Sequence, residues 1–157
     1  MKRDVDAGTP NPLSLCPEIV QVCANFNLRR AARAVSQFYD GALQGSGLRS
    51  TQFSMLVAIH ENGPLTVNNL GNGMVMDQTT VSRNLRVLQK QGYVAMVPGT
   101  DRRTRAVSIT KKGTNVLRDA IPSWKKAQAH MTTTLGEKRM QQLFEGLQAA
   151  TTIARGV

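Results

Sequence analysis

Apolar residues recur at helical spacing through most of the chain, and the period changes once. Ile19, Val22, Cys23, Phe26, Ala31, Ala34, Val35 and Phe38 follow the helical period. They predict a first helix from Pro17, a residue suited to a first helical position, to about Leu43, stopped by Gln44-Gly45-Ser46-Gly47. Ser50 is the expected N-cap of a second helix with Phe53, Leu56, Val57 and either Ile59 or His60 inward, ended by Glu61-Asn62-Gly63-Pro64. Thr66 is expected to cap a short third helix through Leu70, closed by Gly71 and Gly73, and Asp77 to cap a fourth. In the fourth, Val81, Leu85 and Leu88 form a narrow apolar stripe, and Gly92 is the expected residue just past its end. The pattern then alternates: Tyr93–Val97 and Arg105–Ile109 predict two short strands around the seven-residue tip PGTDRRT. Thr110 begins a long helix with Leu117, Ala120, Ile121, Trp124, Ala127, Met131 and Leu135 on one side and an expected bend at Pro122. Gly136 breaks it, and a last helix carries Met140, Leu143, Phe144, Leu147 and Ala150.

Three helices (50–62, 66–72 and 77–91) followed by a two-stranded hairpin describe a winged helix-turn-helix. The expected fold class is therefore mainly α with a small β-hairpin wing, a winged helix-turn-helix lobe joined to a helical dimerisation region. The expected divisions are a mobile N-terminal arm (1–15), a dimerisation helix (16–48), the lobe (49–110) and C-terminal dimerisation helices (111–157). The arm rests on Gly8, Pro10, Pro12 and the absence of an apolar period. The dimer rests on area: the first and last helices carry more apolar face than a chain of 157 residues readily covers by itself. An ordinary intramolecular bundle is the alternative.

Charge alters this picture more than composition does. At 157 residues with 41% apolar content, one domain with a proper core is expected. No apolar run is long enough to span a bilayer, and no leader-like apolar segment follows Met1, so a cytoplasmic protein without membrane contact is expected. Twenty basic residues oppose ten acidic ones, a net charge of +10. Between Asp77 and Arg118 there are nine basic residues against only Asp77 and Asp101, so seven of the ten excess charges lie in about a quarter of the chain. An even, merely solvated surface would not concentrate them. The asymmetry points to a polyanion, and the sparse aromatics (4%) count against a single-strand binder built on stacking.

The fourth helix carries the sharpest chemistry. After Asp77 no acidic residue occurs until Asp101, and with Val81, Leu85 and Leu88 inward, Gln78, Thr79, Ser82, Arg83 and Arg86 project outward. Arg can pair with guanine, Gln with adenine, and Thr or Ser with base edges through hydroxyl or methyl groups. In a helix-turn-helix this second helix enters the major groove. The expected DNA contacts are thus Gln78, Thr79, Thr80, Ser82, Arg83 and Arg86, with Ser50 and Thr51 at the start of the second helix. Arg102, Arg103 and Arg105 are expected to reach a minor groove or flanking phosphates from the hairpin tip, and Asp101 to hold the tip by pairing with Arg103 or as a turn residue.

The stretch from Asp77 to Gly113 resembles the recognition helix and wing of the MarR family of bacterial transcriptional regulators. The resemblance is carried by Asp77, Thr80-Val81, Leu85, Leu88, Gly92-Tyr93-Val94, Asp101 with Arg103, Ile109-Thr110 and Gly113. Gly63-Pro64-Leu65-Thr66 through Gly71 resembles the family's preceding short helix, and the likeness extends over roughly Phe26 to Ala154. It implies a homodimer that binds a pseudo-palindromic double-stranded operator, most often as a repressor released by a small molecule, a metal or an oxidant. It also implies a ligand crevice near Asn25, Arg29 and His60, for which plain packing is the alternative.

Cys16 and Cys23 leave the signal open. In one continuous helix, seven residues separate them by about 10 Å along the axis, too far for an intrachain disulfide. They can pair with a partner's thiols, hold a soft metal, or be inert, and Cys23 sits on the apolar stripe. The region also resembles that of peroxide-sensing members, with Cys23 about two residues from the reactive position. No cofactor is required. No phosphate loop, HExxH or nucleophile elbow is present, so an enzyme is not expected. The competing class is a helical interaction module without specific DNA binding.

Overall fold

The computed structural model describes residues 11–99 and 105–156. The chain divides into two compact units, Met1–Gln37 and Phe38–Val157.

In the first unit, a 3-10 turn at Pro12–Leu15 is capped by the Asn11 side chain, which accepts from the Leu13 N–H at 3.1 Å. Part of the stretch expected to be a mobile arm therefore has regular structure. The single helix expected from Pro17 is two helices: α1 (Cys16–Val22) and α2 (Ala24–Leu43), the latter ending in the second unit. The chain leaves the helical region at Cys23 (ψ 112°). Asn27 is the physical reason. Its Nδ2 lies 3.3 and 3.2 Å from the carbonyl oxygens of Val20 and Gln21, acceptors at the end of α1, and 3.0 Å from that of Cys23, which also accepts from the Asn27 N–H. The apolar period runs through the break without a gap, which is why spacing alone did not register it. The axial rise of one helix consequently no longer measures the separation of the two thiols.

The second unit holds the core. α3 (Ser50–Asn62), α4 (Val67–Met74) and α5 (Gln78–Lys90) precede a hairpin of β2 (Val94–Pro98) and β3 (Arg105–Ile109), followed by α6 (Lys111–Leu135) and α7 (Glu137–Arg155). A two-residue strand, β1 (Leu65–Thr66), pairs antiparallel with β3, so the sheet has three strands in the order β1-β3-β2. β1 is too short to show alternation, and only the Leu65–Val107 and Thr66–Ala106 pairs define it. In the hairpin, Val94 faces Ile109 and Met96 faces Val107. Leu56, Ile59, Leu70, Val81, Leu88 and Val107 meet in the core, each 1% exposed or less.

Several boundaries move. Arg49, not Ser50, is the N-cap position of α3, and Gln52 reaches back to accept from the Arg49 N–H at 2.9 Å. Ile59 faces inward and His60 is exposed. α4 does not close at Gly71 and Gly73 but passes through both to Met74. A Cβ on Gly71 would come within 3.0 Å of the Met76 carbonyl and 3.4 Å of Val81 Cγ2, so this glycine admits the next helix. Val75 ends α4 in the left-handed region (φ 53°), the only non-glycine residue there among the described residues. α6 continues through Pro122.

Candidate nucleic-acid interface

Asp77 starts α5 as its sequence position suggests. Its carboxylate accepts from the Thr80 N–H at 2.8 Å and from the Thr80 hydroxyl at 2.7 Å. The Thr80 side-chain bond, then its backbone bond, hold the Asp77 carboxyl below the usual carboxylate range. The Thr80 hydroxyl proton is thereby given to the cap, while its oxygen lone pairs and methyl group are not used by it. Val81 and Leu88 are fully buried and Leu85 nearly so, which fixes the rotation of the helix about its axis.

The opposite side of α5 is exposed. Gln78, Thr79, Ser82, Arg83 and Arg86 together line one shallow, open groove of about 400 Å³. Gln78 is tied to the preceding helix, its Nε2 donating to Asn68 Oδ1 at 2.6 Å. The far end of α5 is secured to the wing and α6. Gly92 takes φ 75°, the Thr110 hydroxyl donates to the Gly92 carbonyl at 2.7 Å, and Lys112 Nζ donates to the Gln91 carbonyl at 2.8 Å. Thr110 also caps α6 by accepting from the Gly113 N–H at 3.0 Å.

Arg105 opens β3, exposed and opposite Pro98. Asp101, Arg102 and Arg103 lie outside the described residues. Ser50 and Thr51 are half-buried in the first turn of α3, and they do not line the α5 groove. The Ser50 N–H is already given to Asp40 Oδ1 at 2.6 Å, while Arg49 Nη1 lies 3.1 Å from Asp40 Oδ2. Burial alone would raise the Asp40 carboxyl, but hydrogen bonds from Ser50 and Arg49 and the Arg49 charge outweigh it and bring it below the usual range. Sequence reading missed Asp40. It is the only acidic residue between Glu18 and Glu61, a signal that was present but had no period to draw attention to it.

A second concavity lies between α3 and α6. Phe53, Val57, Leu117, Ile121 and Trp124 form its apolar lining, with His60, Glu61 and Asn62 also lining it, and its volume is about 550 Å³. Phe53 and Trp124 stack with ring centres 6.2 Å apart. Of the residues expected at a ligand crevice, His60 is here, whereas Asn25 and Arg29 are exposed on the α2 portion of the first unit. Cys16 is exposed and Cys23 partly buried, both as free thiols. No cluster of three His, Cys, Asp or Glu residues able to hold a metal occurs among the described residues. Nor, among them, is any helix long and apolar enough to cross a membrane.

Comparison with known proteins gives one consistent answer. The model described as MarR family matches residues 46–104, which covers α3, α4, α5 and β2. The crystal structure of the transcriptional regulator MosR of M. tuberculosis, in complex with DNA, is 36% identical with a TM-score of 0.74, covering 85% of this chain and 98% of that one. The HTH-type transcriptional regulator MhqR of Bacillus subtilis is 25% identical over 121 residues, 76% of this chain and 83% of MhqR. An uncharacterised HTH-type regulator of the same organism, YwoH, is 28% identical over 85 residues, 54% of this chain, which spans 62% of the length of YwoH.

Proposed function

This chain belongs to the MarR family and is a DNA-binding transcriptional regulator rather than an enzyme, and from that premise we propose that it acts in the cytoplasm as a homodimeric repressor on a pseudo-palindromic double-stranded operator. The observation that carries the reading is the α5 groove. Its five exposed side chains include two arginines and no carboxylate, and the buried Val81, Leu85 and Leu88 aim that face outward. Gln78, Thr79, Ser82, Arg83 and Arg86 are the base and near-phosphate contacts, and Arg105 takes backbone phosphate from the wing. Ser50 and Thr51 contribute flanking contacts at the start of α3, where the Ser50 amide is committed to Asp40.

The dimer is supported by helices that leave large apolar side chains uncovered in the single chain. Phe144 is 55% exposed and Leu143 42% on α7, while Phe26 on α2 is 41% exposed. Two copies related by a two-fold axis would set two α5 helices about one turn of duplex apart, roughly 34 Å. The apolar lining and polar groups of the α3–α6 concavity suit a small aromatic effector carrying one polar group. An oxidant acting at the exposed Cys16 is the second route to release.

Gel shift against promoter fragments over a salt series tests this reading. Wild-type protein is expected to keep a sequence preference while its affinity falls steeply with salt. Arg83→Ala and Arg86→Ala are each expected to remove roughly 1–3 kcal/mol of discrimination. Adding small phenolic ligands to the same titration is expected to free operator, and their binding to quench Trp124, the only tryptophan. Absence of binding at low salt, or intact preference in both arginine variants, would sink the model.

A further inference from the structure

The Asn68–Gln78 hydrogen bond has no evident role in holding the lobe together. Both side chains are exposed, and at 2.6 Å the bond joins the first turn of α4 to the first residue of α5. An exposed bond between neutral amides replaces a water partner with a protein one and adds little to folding. The two helices are already joined by buried apolar packing through Leu70, Gly71 and Val81. The effect of the bond falls instead on the Gln78 amide, which lines the groove on α5 beside Thr79, Ser82, Arg83 and Arg86.

We propose that Asn68 is a positioning residue for base readout, holding Gln78 in the orientation that recognises adenine. The inference rests on the DNA reading above and assigns one element of its specificity. A primary amide has two N–H groups and one oxygen. With one N–H committed to Asn68 Oδ1, Gln78 Oε1 and the other N–H remain for the duplex. Those two groups match the N6–H donor and N7 acceptor that adenine shows in the major groove. A free glutamine on a helix surface samples many rotamers and can turn its amide over, which exchanges donor for acceptor and blurs the choice of base. Asn68 restricts that freedom before the duplex arrives, with the Gln78 nitrogen turned toward Asn68 Oδ1. The Asp77–Thr80 cap, which brackets Gln78, fixes the backbone from which it projects.

The test is selection from a randomised duplex pool at fixed salt, using the full chain. The proteins compared are wild type, Gln78→Ala, Asn68→Leu, Asn68→Ala, Asn68→Asp and the Asn68→Leu/Gln78→Ala double variant. Gln78→Ala is expected to lose an adenine preference at one position of each half-site. Asn68→Leu and Asn68→Ala should weaken the preference at that same position roughly tenfold, within the range of one bidentate pair, and leave the other positions and the salt slope unchanged. Asn68→Asp keeps an acceptor for Gln78, so the preference should survive while every sequence binds more weakly beside the added charge. The double variant should be no less selective than Gln78→Ala alone. The proposal is overturned if the Asn68 variants keep the wild-type preference, if they lose preference evenly at all positions, or if Gln78→Ala changes no position. A wild-type protein that selects no sequence would overturn the DNA reading itself, and the wild-type arm distinguishes that failure from the others.

Discussion

Gly113 shows how much one side chain can decide. It lies in the first turn of α6, where a Cβ would overlap the Tyr93 carbonyl and stand 2.8 Å from Ile109 Cγ1. The conflict is with backbone on one side, so no rotamer change relieves it. Gly113→Ala is expected to cost about 3 kcal/mol, read as a lower denaturant midpoint with an unchanged slope. Neighbouring Thr110 depends on the same close approach, because its hydroxyl joins the Gly92 carbonyl to the Gly113 N–H. The glycine was visible in the sequence as part of a family pattern, but the reason for it was not. A pattern names the position, whereas the close approach of Tyr93 and Ile109 to α6 that excludes Cβ exists only once the chain is folded.

At the scale of elements, Asp40 joins α2 to the start of α3. Ser50 and Arg49 stabilise its ionised form, so its folded-state pKa lies below the unfolded one. The sign follows directly: stability from this link is complete above the unfolded carboxylate range, near pH 4, and is lost as pH falls through the lower folded value. Asp40→Asn is therefore expected to be less stable than wild type at neutral pH. The difference should shrink below about pH 4 in urea melts taken across the acid range. A difference independent of pH would mean that the charge is irrelevant. The helix-turn-helix elements were legible because caps and apolar stripes are local: Thr66, Asp77 and Thr110 all cap as their residue types suggest. The break at Cys23 was not legible. It depends on Asn27 reaching back to carbonyls as far as seven residues earlier, and the apolar spacing carries no trace of that reach.

At the scale of the whole molecule, the apolar surface of α7 is the main unanswered demand of the single chain. Of its large apolar residues only Met140 is buried, and Ile153 is 80% exposed. If a second copy covers this face, Phe144→Glu should place a charge in an apolar interface and shift sedimentation from dimer to monomer. A variant that stays dimeric would move the interface away from α7. Operator affinity should fall together with dimerisation, since the two half-sites would then be bound independently. Secondary structure content should hardly change, because no intrachain packing depends on Phe144 to the extent that the core depends on Leu56 or Val107.

By itself the sequence determined the order of the helices, the register of α5 about its axis, the position of the wing and the sign of the surface that meets a partner. Each of these follows from caps, turn glycines, apolar spacing and charge, which act over a few residues. Tertiary structure alone decided that Ser50 gives its amide to Asp40, and that Phe53 and Trp124 share one concavity with His60. It also decided that Asn68 meets Gln78. Those pairings join residues that are not neighbours on one periodic element. Their energies come from hydrogen bonds and contacts that form only after distant segments have packed.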